Sequence, residues 1–163
     1  MGAQASLDPQ SPDAVAHLTS LLQKDSLYTG APYTGLPYTG ADLTYELSGN
    51  PDALEKAIEI TGFNGRVVIG SHYGQKQVGL NLSGRFHRSR IRLISSQVST
   101  IAPEWTGRWT KPRRLQIAWQ MLQHLKPAHL ITHRFPLAKA SQAYALLNQH
   151  PEEAIQVVLT YEG

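Results

Sequence analysis

The sequence predicts an α/β protein built on parallel strands. Two observations carry this. Short β-prone runs alternate with amphipathic helical runs, the order that strand–helix–strand units require. The run "GRVVIG" at 65–70 is apolar through its centre, as in a strand covered on both faces. At 163 residues the chain is long enough for one domain with its own core.

The elements follow in order. Residues 3–7 are a short strand candidate. "SPDAVAHLTSLL" opens a helix: Ser11 can cap it, Pro12 suits the first turn and Asp13 complements the helix dipole. Val15, Leu18, Leu21 and Leu22 then share one face. In "YTGAPYTGLPYTGAD", Tyr-Thr-Gly recurs at 28, 33 and 38. Gly and Pro at that spacing defeat helix and regular strand, so 26–40 reads as a loop. "ADLTYELSG" is a strand ending at Gly49, and Asn50-Pro51-Asp52 starts a second helix with Ala53, Leu54, Ala57 and Ile58 as its apolar stripe. In "RSRIRLISSQVS" the alternation of Arg88, Arg90 and Arg92 with Ser89, Ile91 and Leu93 is strand periodicity; the three arginines are expected on one side, at least some of them paired with acids such as Glu46, Asp52 or those of a second subunit. After an excursion at 99–112, "KPRRLQIAWQMLQHL" is a third helix with Leu115, Ala118, Trp119 and Leu122 expected inward. Residues 130–131 are a short extended piece, "PLAKASQAYALLN" is a fourth helix and "IQVVLTY" a final strand.

Composition narrows the class. Hydrophobic residues make up 41% and charged residues 17%, the balance of a globular chain. Cysteine is absent, which excludes disulfides and thiolate metal sites and suits a cytoplasmic location. No apolar run approaches the roughly 20 residues of a transmembrane helix, so no membrane partner is expected. Charge is uneven: residues 1–60 hold eight acids against Lys24 and Lys56, and residues 61–140 hold thirteen bases against Glu104. A basic half can serve an anionic partner; a solvated face plus a subunit contact is the simpler reading, and no nucleic acid is expected.

Catalytic motifs fail in turn. There is no GxGxxG. Gly79 and Gly84 have P-loop spacing, but Arg85-Phe86 stands where Lys-Ser/Thr is required. Ser71 in "GSHYG" is misplaced for a nucleophile elbow. His124, His129 and His133 have no carboxylate or thiolate beside them to complete a metal site. No catalytic residue and no metal ligand is assigned. What remains is backbone geometry: two strands end in small residues, at Ser48-Gly49 and Gly70-Ser71. The carboxyl ends of parallel strands line the ligand crevice, and small residues there admit a ligand. Any connection after a strand also uses Gly and Ser as turn residues, and the pattern alone leaves both readings open.

"GADLTYELSGNPDALEKAI", "GRVVIGSHYG", "LITHRFPLAKASQAYALL" and "IQVVLTY", in this order, resemble the C-terminal half of a medium-chain dehydrogenase/reductase, in particular the zinc-type alcohol dehydrogenase-like and threonine dehydrogenase-like branch. The resemblance implies a partial Rossmann-like parallel sheet lacking its first two strands, with a C-terminal helix–strand tail belonging to the family's catalytic domain. It divides the chain into a partial nucleotide-binding domain, 1–128, with 26–40 as an inserted linker, and a tail, 129–163. Residues 3–7, 43–47, 67–69 and 92–95 become strands 3 to 6 of the sheet. By position, Ser48, Gly49 and Asn50 fall on the adenosine side of an NAD or NADP cofactor, and Gly70, Ser71, Ser95 and Ser96 fall beside its nicotinamide. Gln156 stands where relatives reach the pyrophosphate with Arg. The glycine turn, the acidic residue that reads the ribose and the zinc-bearing catalytic domain have no counterpart here. The expected protein is therefore a C-terminal fragment of an NAD(P)-dependent oxidoreductase, inactive alone, binding cofactor weakly or not at all, with no zinc ligands of its own. Its implied partners are a second copy or a missing N-terminal half. The alternative is an anion- or protein-binding module using the Arg-rich 85–92 stretch.

Overall fold

A computed structural model gives the structure of residues 3, 5–8, 10–24 and 40–161. The Tyr-Thr-Gly repeats up to residue 39 lie outside the described residues. The chain forms two compact units, one within 2–100 and one within 101–163. The resemblance put its division at 128/129 instead.

The first unit contains α1 (Ala14–Lys24), β1 (Ala41–Glu46), α2 (Pro51–Ile60), β2 (Thr61–Ile69) and β3 (Arg92–Ser95). The three strands are parallel in the order β1-β2-β3, the order expected for 43–47, 67–69 and 92–95. Register places Thr44 beside Val67 and Glu46 beside Ile69, with Leu93 and Ser95 completing those two rows. The pleat puts this set on one face. Leu54, Ala57, Ile58, Val67 and Ile91 form the buried cluster, with Ile69, Tyr73, Phe86 and Leu93 packed against it. The opposite face carries Tyr45, Val68 and Ile94, with Arg66 directly beside Arg92 in the ladder.

Local chemistry explains the boundaries. Asn50 caps α2, its side chain accepting from Asp52 N, and Pro51 occupies the first turn where its missing N–H costs nothing. Thr61, with no measurable exposure, donates to Ala57 O at 2.6 Å and meets the Thr44 hydroxyl at 2.8 Å. The end of α2 is thereby tied to the strand beside it. In α1, Val15, Leu18, Leu21 and Leu22 are half-buried, and the helix touches α2.

Three expectations are corrected. The described residues of 3–7 form no strand, so β1 has a strand on one side only among the described residues. Arg88 and Arg90 are not in a strand: Ile91 N donates to Phe86 O at 3.1 Å and Arg90 has φ 52. The alternation arises in a turn, and only Arg92 joins β3. The third concerns the helix at 111–125.

The second unit contains α3 (Lys111–Leu125), β4 (Ile131–Pro136), α4 (Ala140–Gln149) and β5 (Gln156–Thr160). Thr110 caps α3, accepting from Arg113 N, and left-handed Lys126 (φ 47) ends it. β4 and β5 pair in parallel as a two-stranded sheet, with Ala143 of α4 buried. On α3, Leu115, Trp119 and Leu122 are exposed rather than inward, and no residue of the helix is buried. Helical periodicity identified an apolar stripe; whether a partner element covers it is a separate, tertiary fact. No helix among the described residues is long and apolar enough to cross a membrane.

Ile58 is 1% exposed at the centre of the first unit. Replacing it with Ala removes apolar contacts and leaves a cavity, expected to cost about 2–5 kcal/mol. Leu47→Ala, at a position 70% exposed, is expected to cost less than about 0.5 kcal/mol. Urea denaturation of the two variants checks this, and equal midpoints contradict the core assignment.

Candidate functional site

Three loops meet at the carboxyl edge of the first sheet. Gly70 N donates to Glu46 O at 3.0 Å, and Ser96 N donates to Ile69 O at 2.8 Å. The parallel ladder thus continues one residue past each strand and sets Ser48-Gly49-Asn50, Gly70-Ser71 and Ser95-Ser96 along one edge. Gln156 belongs to the second unit, its side-chain amide donating to Val157 O at 3.1 Å.

The side chain that organises this edge is Glu46, which sequence reasoning expected to pair with arginine. It ends β1 and is only 3% exposed. Oε1 accepts from Ser48 N at 2.6 Å, Ser48 Oγ at 2.5 Å and Gly49 N at 3.1 Å. Oε2 accepts from Ser71 Oγ and from the Tyr73 hydroxyl, the latter at 2.5 Å. One oxygen therefore holds the turn after β1, and the other holds the loop after β2. None of the five donors is an arginine.

The electrostatics follow from that geometry. Burial alone would push the Glu46 carboxyl up, because a low-dielectric surrounding disfavours the charge. Hydrogen bonds from Ser48, Ser71 and Tyr73 outweigh it and lower the pKa from 4.5 to about 2. The Tyr73 phenol is shifted upward, first by burial and then by its bond to Glu46, with Ser71 opposing. A phenolate beside a carboxylate is unfavourable, so Tyr73 stays protonated and donating.

Backbone contacts tighten the same edge. Gly49 has φ +66, and a Cβ there would lie 2.8 Å from His72 O. The two loops touch backbone to backbone, which only glycine allows. Lys76 Nζ donates to Gly49 O at 3.0 Å. Asn50 N donates to Ser48 Oγ at 3.1 Å, and Asn50 Oδ1 accepts from Asp52 N at 3.0 Å. The N-terminus of α2, where a phosphate could bind, is thus occupied by its own cap.

These residues suit part of a dinucleotide. Gly70 is exposed at the edge with the Leu47 side chain against it, and half-buried Ser71 offers a hydroxyl oxygen, matching a ring amide or a ribose. The sequence holds no GxGxxG motif for the pyrophosphate. Zinc does not fit: among the described residues the candidate ligand cluster is His150, Glu152 and Glu153, all exposed, with His150 Nδ1 3.6 Å from Glu152. That is the geometry of a surface ion pair, and no step through a metal follows.

Two outcomes are expected at this site. Gly49→Ala puts a Cβ into His72 O at a left-handed φ and is expected to cost about 1–3 kcal/mol, read from the denaturation midpoint; an unchanged midpoint contradicts the close approach. For Glu46 the folded-state pKa lies below the unfolded value, so its stabilisation is complete above pH 4.5 and disappears as pH falls toward 2. The stability gap between wild type and Glu46→Gln is expected to shrink across that window. A gap that stays constant down to pH 2 removes the ionised, hydrogen-bonded carboxylate from the account.

No family model matches the sequence. Over 124 residues the chain is 26% identical to D-guloside 3-dehydrogenase of Escherichia coli K12, covering 74% of this chain and 35% of that protein. The chain thus spans about a third of the curated relative's length. Among solved structures it superposes on zinc-dependent alcohol dehydrogenase 2 from Streptococcus with TM-score 0.68 and 21% identity, covering 99% of this chain and 40% of that one. An alcohol dehydrogenase from E. coli CFT073, solved with NADH, gives TM-score 0.64 and 18% identity, covering 98% and 39%. The fold is that of a portion of an alcohol dehydrogenase.

Proposed function

We propose that the chain is the C-terminal portion of an NAD(P)-dependent alcohol or sugar dehydrogenase-like oxidoreductase, acting in the cytoplasm and not competent by itself. The observation that carries this reading is the convergence of residues 48–50, 70–71 and 95–96 on one carboxyl edge, the first two loops joined by Glu46 and the third attached through Ser96 N to Ile69 O. Open parallel sheets bind ligands at that edge. The likeness to D-guloside 3-dehydrogenase supports a hydroxyl-bearing substrate class. When bound, a nicotinamide cofactor supplies the hydride acceptor. This chain's part is to line the adenosine side with Ser48, Gly49 and Asn50 and the nicotinamide side with Gly70, Ser71, Ser95 and Ser96. Proton handling, metal and substrate contacts belong to a second component, either an N-terminal half or another subunit.

The Arg66–Arg92 neighbours favour one rival reading, an anion-binding module. Their face of the sheet lies opposite the core side, so such a module would not use the carboxyl edge.

Because the pyrophosphate turn is missing, NADH and NADPH are expected to bind the isolated chain with millimolar or weaker affinity, about 4 kcal/mol or less. Calorimetric titration checks it: micromolar binding contradicts the partial-site reading, and tight binding of polyphosphate without any dinucleotide response selects the rival.

A further inference from the structure

Ser48, Ser71 and Tyr73 have one hydroxyl proton each, and an ionised carboxylate can only accept. All three protons are therefore committed to Glu46. What these oxygens offer to anything else is lone pairs. Ser48 Oγ spends one on Asn50 N. Ser71 and Tyr73 are half-buried, so each keeps some exposed surface, with Tyr73 also packed against the core cluster.

We propose that Glu46 is a specificity-determining residue that fixes the hydrogen-bond polarity of the crevice, making Ser71 and Tyr73 acceptors only. The group recognised there is then a hydrogen-bond donor, such as a carboxamide or a ribose hydroxyl. A carboxylate or phosphate oxygen at the same place meets a lone pair with a buried negative charge behind it. A donor instead meets an oxygen made more basic by its own donation to an anion. Lys76, fixed to Gly49 O, works the other way by attracting anions, so the outcome is a contest that experiment can decide. The identity of the ligand rests on the dinucleotide reading; the polarity does not.

Glu46→Gln separates the two. Ser48 N and Gly49 N can only donate, so the Gln carbonyl turns to them and its NH2 faces Ser71 and Tyr73. Those hydroxyls then accept, and their protons are released outward. Shape is kept and polarity reversed. The probes are nicotinamide and nicotinate, one ring carrying a carboxamide or a carboxylate, titrated against the full chain and followed at the Gly49 and Ser71 amides by NMR. Wild type is expected to favour nicotinamide by at least about tenfold, the ratio of roughly one hydrogen bond to a polarised partner, and Glu46→Gln is expected to abolish or invert that preference. A wild-type preference for nicotinate, or a ratio unchanged in the variant, overturns the proposal.

A second measurement needs no ligand. In protein labelled at tyrosine Cζ, the upward-shifted Tyr73 titration is expected to move back toward the ordinary phenol value in Glu46→Gln, and its failure to move overturns the proposed polarity. If Tyr73 responds but neither ring binds wild type, the dinucleotide reading falls and the polarity stands. Should Glu46→Gln not fold, Tyr73→Phe removes one acceptor: nicotinamide affinity is expected to drop by about threefold with nicotinate unchanged, and equal effects on both overturn the proposal.

Discussion

A carboxylate shut away from water must be answered by hydrogen bonds, and the first unit is arranged around that requirement at Glu46. An uncompensated buried charge costs far more than a domain's net stability. Five donors meet it, two from backbone and three from hydroxyls. They come from two segments that would otherwise be independent loops. Satisfying one charge therefore fixes where both loops leave the sheet. Gly49 has to be glycine because the loops are drawn close enough that a Cβ there would lie 2.8 Å from the His72 carbonyl oxygen. Asn50 caps α2 from the same turn, so helix, turn and strand end share one anchor.

The sequence made much of this fold legible. Asn50-Pro51-Asp52 announced α2, and the apolar centre of "GRVVIG" announced a strand of a parallel sheet, but not one covered on both faces: Tyr45 and Ile94 on the face of Val68 are exposed. These signals are local: a cap, a fixed proline φ, a run of β-branched residues. Arg88–Leu93 misled because alternation is necessary for a strand and not sufficient. Arg90 in the left-handed region breaks the pleat, and nothing in an Arg-Ser-Arg pattern encodes φ. Leu115, Trp119 and Leu122 misled differently. Their spacing correctly marks one face of a helix, but coverage of that face depends on elements elsewhere.

The site was half visible. The small residues at 48–50, 70–71 and 95–96 stood out as strand ends, and the structure brings them to one edge. Glu46 and Tyr73 did not stand out as a pair, since they lie 27 residues apart and meet only because β1 and β2 are adjacent and parallel. One local signal was available. In "ELSG" a serine two residues after the acid and a glycine three after it can turn their N–H groups back onto the carboxylate, as a capping side chain does. A glutamate at the buried end of a strand is better explained by such donors than by a distant arginine.

The Arg66–Arg92 register has a consequence at the other end of the strands. Both are exposed and directly opposite in the ladder, where like charges oppose strand pairing. Arg92 turns toward Asn64 O, 3.4 Å away, but a carbonyl does not neutralise it. Dissolved counter-ions are left to supply part of that neutralisation, and their atmosphere thins as the Debye length grows from about 8 Å at physiological ionic strength to about 30 Å at 0.01 M. The buffer is in this sense a component of the β2–β3 pairing. Dilution of salt is therefore expected to weaken β2–β3 pairing first at the start of β3, and to leave the edge around Glu46, whose charge is met by hydrogen bonds rather than by ions, less affected.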